Sequence, residues 1–223
     1  MDIVTHGRSH AAFRVCATVA AIAALALCAH AGGRSKSGKA EPRQEPGIAI
    51  TKIKASASSG KASSRGPSAN IGQRIRLNGT GFDDNVSIQF TAFANSTFLI
   101  RPLEVNGKKL DVAVPAEVIT GSVVLVDPDT GRSNEQTLQI VPTITTLSSE
   151  RVAPGERLLI DGAGFTRDTT VTFQGVERPV APTIVSPSRI DIIVPPSAKS
   201  GKITVVTPGG RSKAVKLTVT REN

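Results

Sequence analysis

The chain has 223 residues, a formal net charge of +9 and a hydrophobic content of 39%, which suits one or two small globular domains. Aromatic residues make up only 3% of the chain, while 20 glycines and 14 prolines favour many turns and short strands over long helices. Both cysteines and all three histidines lie within the first 31 residues. The rest of the chain therefore excludes a disulfide and any catalysis that depends on His or Cys.

The first 31 residues have the pattern of an export signal. Arg8 and Arg14 supply a positive n-region, and residues 15–28 form an uncharged run rich in Ala and Leu. This run is short for a membrane-spanning helix, which needs about 20 strongly apolar residues. Small residues then precede a cleavage position between Ala31 and Gly32. The pattern predicts export to the periplasm, the cell surface or the extracellular space.

Two other outcomes for this segment stay open. Leu25-Ala26-Leu27-Cys28 is similar to a bacterial lipobox, although Leu27 stands where such boxes carry Gly or Ala. A lipoprotein acylated at Cys28 is therefore an alternative, and an uncleaved anchor is another.

Residues 32–47 are rich in Gly, Ser, Lys and Pro without an apolar period, which predicts a basic flexible linker. After removal of residues 1–31 the chain would carry +8, of which residues 32–70 supply +6. We therefore predict that the basic character lies in this N-terminal segment and not in the domains. Its partner would be anionic lipid or an acidic envelope polymer, with nucleic acid unlikely, and the candidate contacts are Arg34, Lys36, Lys39 and Arg43.

The remaining chain contains an internal repeat, with copies predicted at residues 48–141 and 142–223. The segments IGQRIRLNGTGFDDNVSIQF (71–90) and PGERLLIDGAGFTRDTTVTF (154–173) share six identical positions at one constant offset. Further matches follow in the same order, which indicates duplication. Residues 55–70 are small and polar and predict a long mobile loop inside the first copy.

Within each copy the hydrophobic period is two, as in strands with one buried and one solvated face. Val86, Ile88 and Phe90 alternate with polar residues in the first copy, and Ile190, Ile192 and Val194 do so in the second. Turn sequences separate about seven such runs per copy, and no segment has a convincing amphipathic helix. The predicted fold class is all-β, with two tandem sandwiches of two sheets each.

The pattern Gly-x-Arg, Gly-x-Gly-Phe, Val-Pro and Gly-Arg-Ser, in that order, resembles the IPT/TIG domain family. This resemblance implies an immunoglobulin-like fold, found in cell-surface receptors, in some transcription factors and in bacterial surface and polysaccharide-active proteins. The second copy fits over about 142–220. The first departs at residues 55–70 and by three extra residues between Phe90 and Val114.

The expected function is that of an exported, non-enzymatic binding, adhesion or spacer protein, whose partner is an unknown protein or polysaccharide at the cell envelope. An accessory subunit that positions a partner in an envelope or polysaccharide-processing assembly is the alternative. An intracellular DNA-binding protein of the Rel-like type would require the export signal to be misinterpreted.

No residue is assigned as catalytic, cofactor-binding or metal-ligating, and no cofactor is expected. Gly79-Thr80-Gly81 lacks the third glycine and the following helix of a dinucleotide site, so it predicts a tight turn closed by Phe82. Residues 129–131 match the Asp-Thr-Gly of aspartic proteases, but the second copy has no carboxylate there. A calcium loop starting at Asp127 lacks its remaining ligands. Sugar-stacking candidates reduce to Phe93 and Phe98, and we expect Phe98 to pack in the core.

Overall fold

The computed structural model describes residues 47–220. The predicted export signal, its cleavage position between Ala31 and Gly32, the acylation candidate Cys28 and nearly all of the linker 32–47 lie outside the described residues. The described part is all-β, and a single turn of 3-10 helix at Phe93–Asn95 is its one helical element. None of its helices has the length and hydropathy needed to cross a bilayer.

The first repeat contains eleven strands: β1 (Ala49–Lys54), β2 (Lys61–Ala62), β3 (Ser68–Ala69), β4 (Arg74–Thr80), β5 (Ser87–Ala92), β6 (Ser96–Ile100), β7 (Glu104–Asn106), β8 (Lys109–Ala113), β9 (Val118–Asp127), β10 (Gly131–Arg132) and β11 (Gln136–Ile140). The second contains nine: β12 (Thr143–Leu147), β13 (Arg151–Val152), β14 (Arg157–Ala163), β15 (Thr170–Thr172), β16 (Thr183–Ser186), β17 (Arg189–Ile193), β18 (Gly201–Thr207), β19 (Gly210–Arg211) and β20 (Val215–Val219).

Both repeats have the same sheet topology. One sheet has the order β1-β4-β8-β7 in the first repeat and β12-β14-β17-β16 in the second. The other sheet contains β3-β11-β9-β5, matched by β13-β20-β18 with β15 paired to β18. In each repeat a short strand enters by parallel pairing, β3 with β11 and β13 with β20, while the longer strands pair antiparallel. The predicted all-β, immunoglobulin-like sandwich is confirmed.

Each sandwich buries the side chains that the two-residue period pointed inward. In the first, Ile88 and Phe90 of β5 are 0% and 1% exposed, and β8 of the facing sheet contributes Leu110 and Val112. In the second, the buried core is built around Phe165. Each sandwich has its own cluster of buried hydrophobic residues, so burial of apolar area stabilises each one separately.

The two glycines of each Gly-x-Gly turn have different physical roles. Gly81 and Gly164 have φ of +73° and +76°, a conformation that side chains with a Cβ resist. Gly79 has no positive φ, but a Cβ there would lie 1.9 Å from the carbonyl oxygen of Ala49. The equivalent Gly162 would meet the Thr143 carbonyl oxygen at 2.0 Å. The first glycine therefore permits close strand approach, and the second makes the turn.

Residues 55–70, predicted as a loop, contain the short strands β2 and β3. Two amides hold this segment: Asn70 Oδ1 accepts a bond from the Ser59 N–H at 2.9 Å, and Gln139 Oε1 accepts one from the Ser64 N–H at 3.0 Å. Strand formation here depends on backbone groups and distant amides, because its small polar side chains carry no apolar period. The local sequence therefore contains no pattern that would predict it.

Candidate functional site

The junction between the repeats is built from both of them. Only Val141 and Pro142 separate β11 from β12. Strand β2 of the first repeat pairs with β19 of the second, with Ala62 opposite Gly210 and Lys61 opposite Arg211. A sheet of the second sandwich therefore ends in a strand supplied by the first.

Further hydrogen bonds and close backbone contacts reinforce this junction. Ser63 Oγ donates to the Pro208 carbonyl at 2.7 Å, and Asn70 Nδ2 donates to the Val141 carbonyl at 3.0 Å. A Cβ at Gly209 would lie 2.0 Å from the Ile140 carbonyl oxygen, so the chains meet at backbone distance. Backbone pairing plus contact at this range restricts hinge motion, in contrast to a flexible linker.

A cluster of paired charges lies on the outer face of the first repeat's four-stranded sheet. Asp111 is 5% exposed and receives two hydrogen bonds from Arg76, Nε to Oδ1 at 2.6 Å and Nη2 to Oδ2 at 2.7 Å. Arg74 Nη2 lies 3.1 Å from Asp111 Oδ2 and 2.8 Å from Glu104 Oε1. The Arg76 hydrogen bonds, followed by the charges of both arginines, lower the pKa of Asp111.

The second repeat has a smaller version of the same cluster. Arg157 pairs with Asp191, the positions equivalent to Arg74 and Asp111, and Arg189 pairs with Asp161. The hydrogen bond from Arg189 is the main cause that lowers the pKa of Asp161. Since each carboxylate has an arginine partner, both clusters are cross-strand pairs that stabilise their sheets.

We expect Asp111 to make the stability of the first sandwich depend on pH. Its pKa is lower in the folded chain than the value of about 3.9 for an unfolded Asp, so its contribution is full above about pH 4. That contribution is lost as the pH falls through the folded pKa. Asp111→Asn should flatten the acid limb of a plot of Tm against pH.

Arg76→Gln is the companion variant for this test. It keeps the carboxylate but removes the main cause of the shift, so the Asp111 pKa should rise and acid unfolding should begin at higher pH. An NMR titration of the Asp111 carboxyl reads this directly. An unchanged titration in Arg76→Gln would show that the pairing does not stabilise the carboxylate.

The Asp-Thr-Gly sequence at residues 129–131 is a structural turn, held by the carboxylate of the preceding Asp127. Asp127 is 2% exposed, and its Oδ1 accepts bonds from the Asp129 N–H at 3.0 Å and from the Thr130 N–H at 2.6 Å. The Thr130 bonds lower the pKa of Asp127. Among residues 47–220 no group of three or more His, Cys, Asp or Glu side chains is arranged to hold a metal ion.

Both aromatic candidates for sugar stacking are half-buried. Phe98 on β6 lies directly opposite the buried Phe90 on β5, at the margin of the first core. Phe93 lines a cleft of about 260 Å³ together with Arg167 and Asp168 of the second repeat. Neither ring presents the broad flat platform that a Trp or Tyr would provide.

The residues predicted to contact an anionic surface, Arg34, Lys36, Lys39 and Arg43, lie outside the described part of the chain. The structure corrects the predicted placement of the charge. The N-terminal segment 32–70 contains eight basic residues and two acidic ones. Four of the basic residues lie at positions 48–70, whereas both acidic residues lie before them. These four basic residues are Lys52, Lys54, Lys61 and Arg65, and three of them are on β1 and β2. The folded repeats therefore carry most of the basic excess.

The paired clusters were not found by sequence reasoning. Arg74 and Arg76 are two positions apart on one strand, which places them on one face. That Asp111 would be their partner follows only from the pairing of β4 with β8. The i, i+2 spacing of the two arginines was a local signal that they share one face of a strand. Strand order, which shows that Asp111 lies on the neighbouring strand, could not be obtained from the sequence.

Comparison with known proteins matches the sequence of the second repeat to the family model of the IPT/TIG domain. Residues 142–221 are one IPT/TIG domain. The family model does not extend to the first repeat, which shares the sheet topology of the second. A comparison with curated protein sequences finds no match.

Among solved structures, similar chains include the surface glycan-binding protein PbSGBP-B from Prevotella bryantii, with 18% identity and a TM-score of 0.44 over 76% of this chain and 41% of that one. SGBP-B from a xyloglucan utilization locus of Bacteroides uniformis has 20% identity and a TM-score of 0.32, covering 77% and 49%. SGBP-B from the mixed-linkage glucan locus of Bacteroides ovatus has 17% identity and a TM-score of 0.32, covering 72% and 45%. The chain spans less than half the length of each.

Proposed function

We propose that the protein is an exported, non-enzymatic binding module of the cell envelope, in which two IPT/TIG-type sandwiches act as one body that holds a partner in place. The pairing of β2 with β19 carries this proposal, because it joins the repeats through backbone hydrogen bonds. A protein that positions a partner needs such a stiff connection, whereas a tether does not.

The carboxylates of the two clusters favour binding over catalysis. Asp111, Asp161 and Asp191 are each paired with an arginine, which leaves none of them free to act as a general acid or base. The expected partner is a polysaccharide or a protein of the envelope. The alternative within this proposal is an accessory subunit of a larger polysaccharide-processing assembly, in which the sandwiches serve as spacers.

The stiffness of the junction can be tested with Gly210→Ala. A Cβ at this position would lie 2.2 Å from the carbonyl oxygen of Lys61, so the substitution should force β2 away from β19. We expect trypsin to cleave rapidly after Lys61 and Arg65 in the variant. Small-angle scattering should then show a broader distribution of distances between the repeats.

Gly131→Ala is the matched control. Gly131 occupies the equivalent turn of the first repeat and also has positive φ, but a Cβ there meets nothing within 4 Å. It should strain its own turn and leave the junction closed. Equal trypsin sensitivity of the two variants would contradict a stiff junction.

Export is tested separately by mass spectrometry of the protein isolated from the envelope fraction. A mature chain that starts at Gly32 supports the proposal, and acylation at Cys28 would place the protein on a membrane by a lipid. A cytoplasmic chain that retains Met1 would refute export and favour the Rel-like alternative.

A further inference from the structure

One sheet face of the second repeat carries a set of unpaired positive charges. This face belongs to the sheet β13-β20-β18-β19-β2, and each of the five strands contributes one basic side chain. They are Arg151, Lys216, Lys202, Arg211 and Lys61, and all five are exposed. None of them forms a salt bridge within the described region. The set is called the basic stripe below.

Strand register places these five side chains on the same face. Lys202 lies directly opposite Lys216, and Arg211 lies opposite both Val206 and Lys61. Lys202 and Val206 are four residues apart on β18, so they point to one side, away from the buried residues between them. Arg151 lies beside Thr218, two residues from Lys216.

The register also gives the stripe a direction. Strands β19 and β20 follow each other along one edge of β18, since β15 occupies the other edge, and β2 and β13 flank them on the outside. The stripe therefore spans two strand spacings and about six residue positions along the strands. With strands about 4.8 Å apart and a rise of about 3.3 Å per residue, it is roughly 20 Å long and 10 Å wide. An elongated array of cations, spaced along the strands, matches a polyanion better than a single small anion.

The first repeat shows that the fold does not require these charges. On its equivalent sheet Ser122 lies opposite Thr137, where the second repeat has Lys202 opposite Lys216. Ser68 stands where the second repeat has Arg151, and of the four equivalent positions only Arg132 is basic. Like charges placed directly opposite each other destabilise a sheet, so the Lys202–Lys216 pair weakens this one.

The surroundings of the stripe favour a carbohydrate over a lipid surface. The hydroxyls of Thr172 and Thr204 bond to each other beside the cations, and Thr170 and Thr218 lie on the same face. The large exposed hydrophobic side chains of the described region are Leu99, Leu103 and Ile193, which lie on other elements. Membrane-binding surfaces combine basic residues with apolar side chains that insert, and this face lacks the latter.

The junction completes the stripe. Lys61 reaches this face only because β2 crosses from the first repeat, and it lines a recess of about 350 Å³ with Ser63, Val206 and Arg211. We infer that the basic stripe binds an acidic polysaccharide, a chain of sugars with regularly spaced carboxylates, and that both repeats are needed to form the site. This inference deepens the proposed function, because it assumes that the protein is exported to the envelope.

The test measures binding of the whole protein to polygalacturonate, with dextran as the neutral polymer. The triple variant Lys61→Glu, Lys202→Glu, Lys216→Glu should bind at least about tenfold more weakly than the parent protein, since each exposed ionic contact contributes up to about 1 kcal/mol and reversal turns it repulsive. Binding by the parent should weaken as salt rises, and dextran should not bind.

The matched control is the triple variant Lys52→Glu, Lys54→Glu, Lys109→Glu. It makes the same change in net charge on exposed lysines of the first repeat's opposite sheet and should retain binding. Equal losses in the two triple variants would refute the stripe, because they would show attraction to net charge alone. Retained binding in the first triple variant would refute it as well.

Two further arms identify other sources of binding. Reversal of Arg34, Lys36, Lys39 and Arg43 to Glu should leave polygalacturonate binding largely intact, and its loss there would assign binding to the N-terminal segment instead. Binding to phosphatidylglycerol vesicles but not to polygalacturonate would replace the polysaccharide by a membrane. Absence of binding by the parent protein would overturn the inference. The proposed function would then still be tested by the junction variants and by the export experiment.

A single substitution separates a binding role from a structural one. Lys202→Glu would pair with Lys216 across the strands and should raise Tm while weakening polygalacturonate binding. A variant that gains stability without losing affinity would show that this lysine pair takes no part in recognition.

Discussion

Replacing Phe90 by alanine should lower the free energy of unfolding of the first sandwich by about 3–5 kcal/mol, and Phe173→Ala should do the same to the second. Phe90 on β5 is 1% exposed, and Phe173, at the equivalent position just after β15, is 5% exposed. Removing either ring leaves a cavity in a core that has no disulfide to compensate. Denaturation in urea, followed by circular dichroism, measures the loss.

Phe98→Ala is the control for this prediction. Phe98 lies opposite Phe90 but is only half-buried, so its truncation removes less buried area and should cost clearly less. Because each sandwich has its own hydrophobic cluster, Phe90→Ala should destabilise the first sandwich more than the second. Equal costs for Phe90 and Phe98 would contradict the register of β5 and β6.

Gly79→Ala and Gly162→Ala should each cost about 3 kcal/mol, at the upper end of what overpacking costs. A Cβ at Gly79 would lie 1.9 Å from the Ala49 carbonyl oxygen and 2.4 Å from Phe82 Cζ. At Gly162 the same atom would meet Thr143 and Phe165. Neither a backbone carbonyl nor a buried ring can move away cheaply, so the first strand of each sandwich should separate from its neighbour.

Hydrogen exchange localises this effect better than stability alone. The amides of β1 in Gly79→Ala, and those of β12 in Gly162→Ala, should lose protection while the opposite sheets keep theirs. Gly47→Ala is the reference, since a Cβ there meets nothing within 4 Å and should change stability by less than about 0.5 kcal/mol. Unchanged protection in β1 would show that the close approach is relieved elsewhere.

The fold was accessible from sequence because its determinants are local and repeated. Alternation in strands such as β5 and β17 set the buried face, and the duplicated Gly-x-Gly-Phe aligned one repeat with the other. The short strand β2 was not accessible, because nothing in its small polar side chains specifies a partner. Its pairing depends on β19, about 150 residues further along the chain.

The candidate surfaces could not be predicted for a related reason. The five cations of the basic stripe come from five strands that are scattered over residues 61–216, and none is in a charge run. Counting charge along the chain assigned Lys61 to a flexible segment, whereas the sheet places it beside Arg211. Periodicity shows which face a residue occupies, but only strand order shows which residues share it.

The strand that crosses from the first repeat also affects solubility. Without β2, the backbone groups of β19 would form an open sheet edge, and open edges recruit strands from other molecules. The two-residue β2 covers that edge and presents Lys61 at the new margin, where a charged side chain discourages further pairing. An isolated second repeat would lose this protection and would be prone to edge-to-edge aggregation, so the first repeat protects the second.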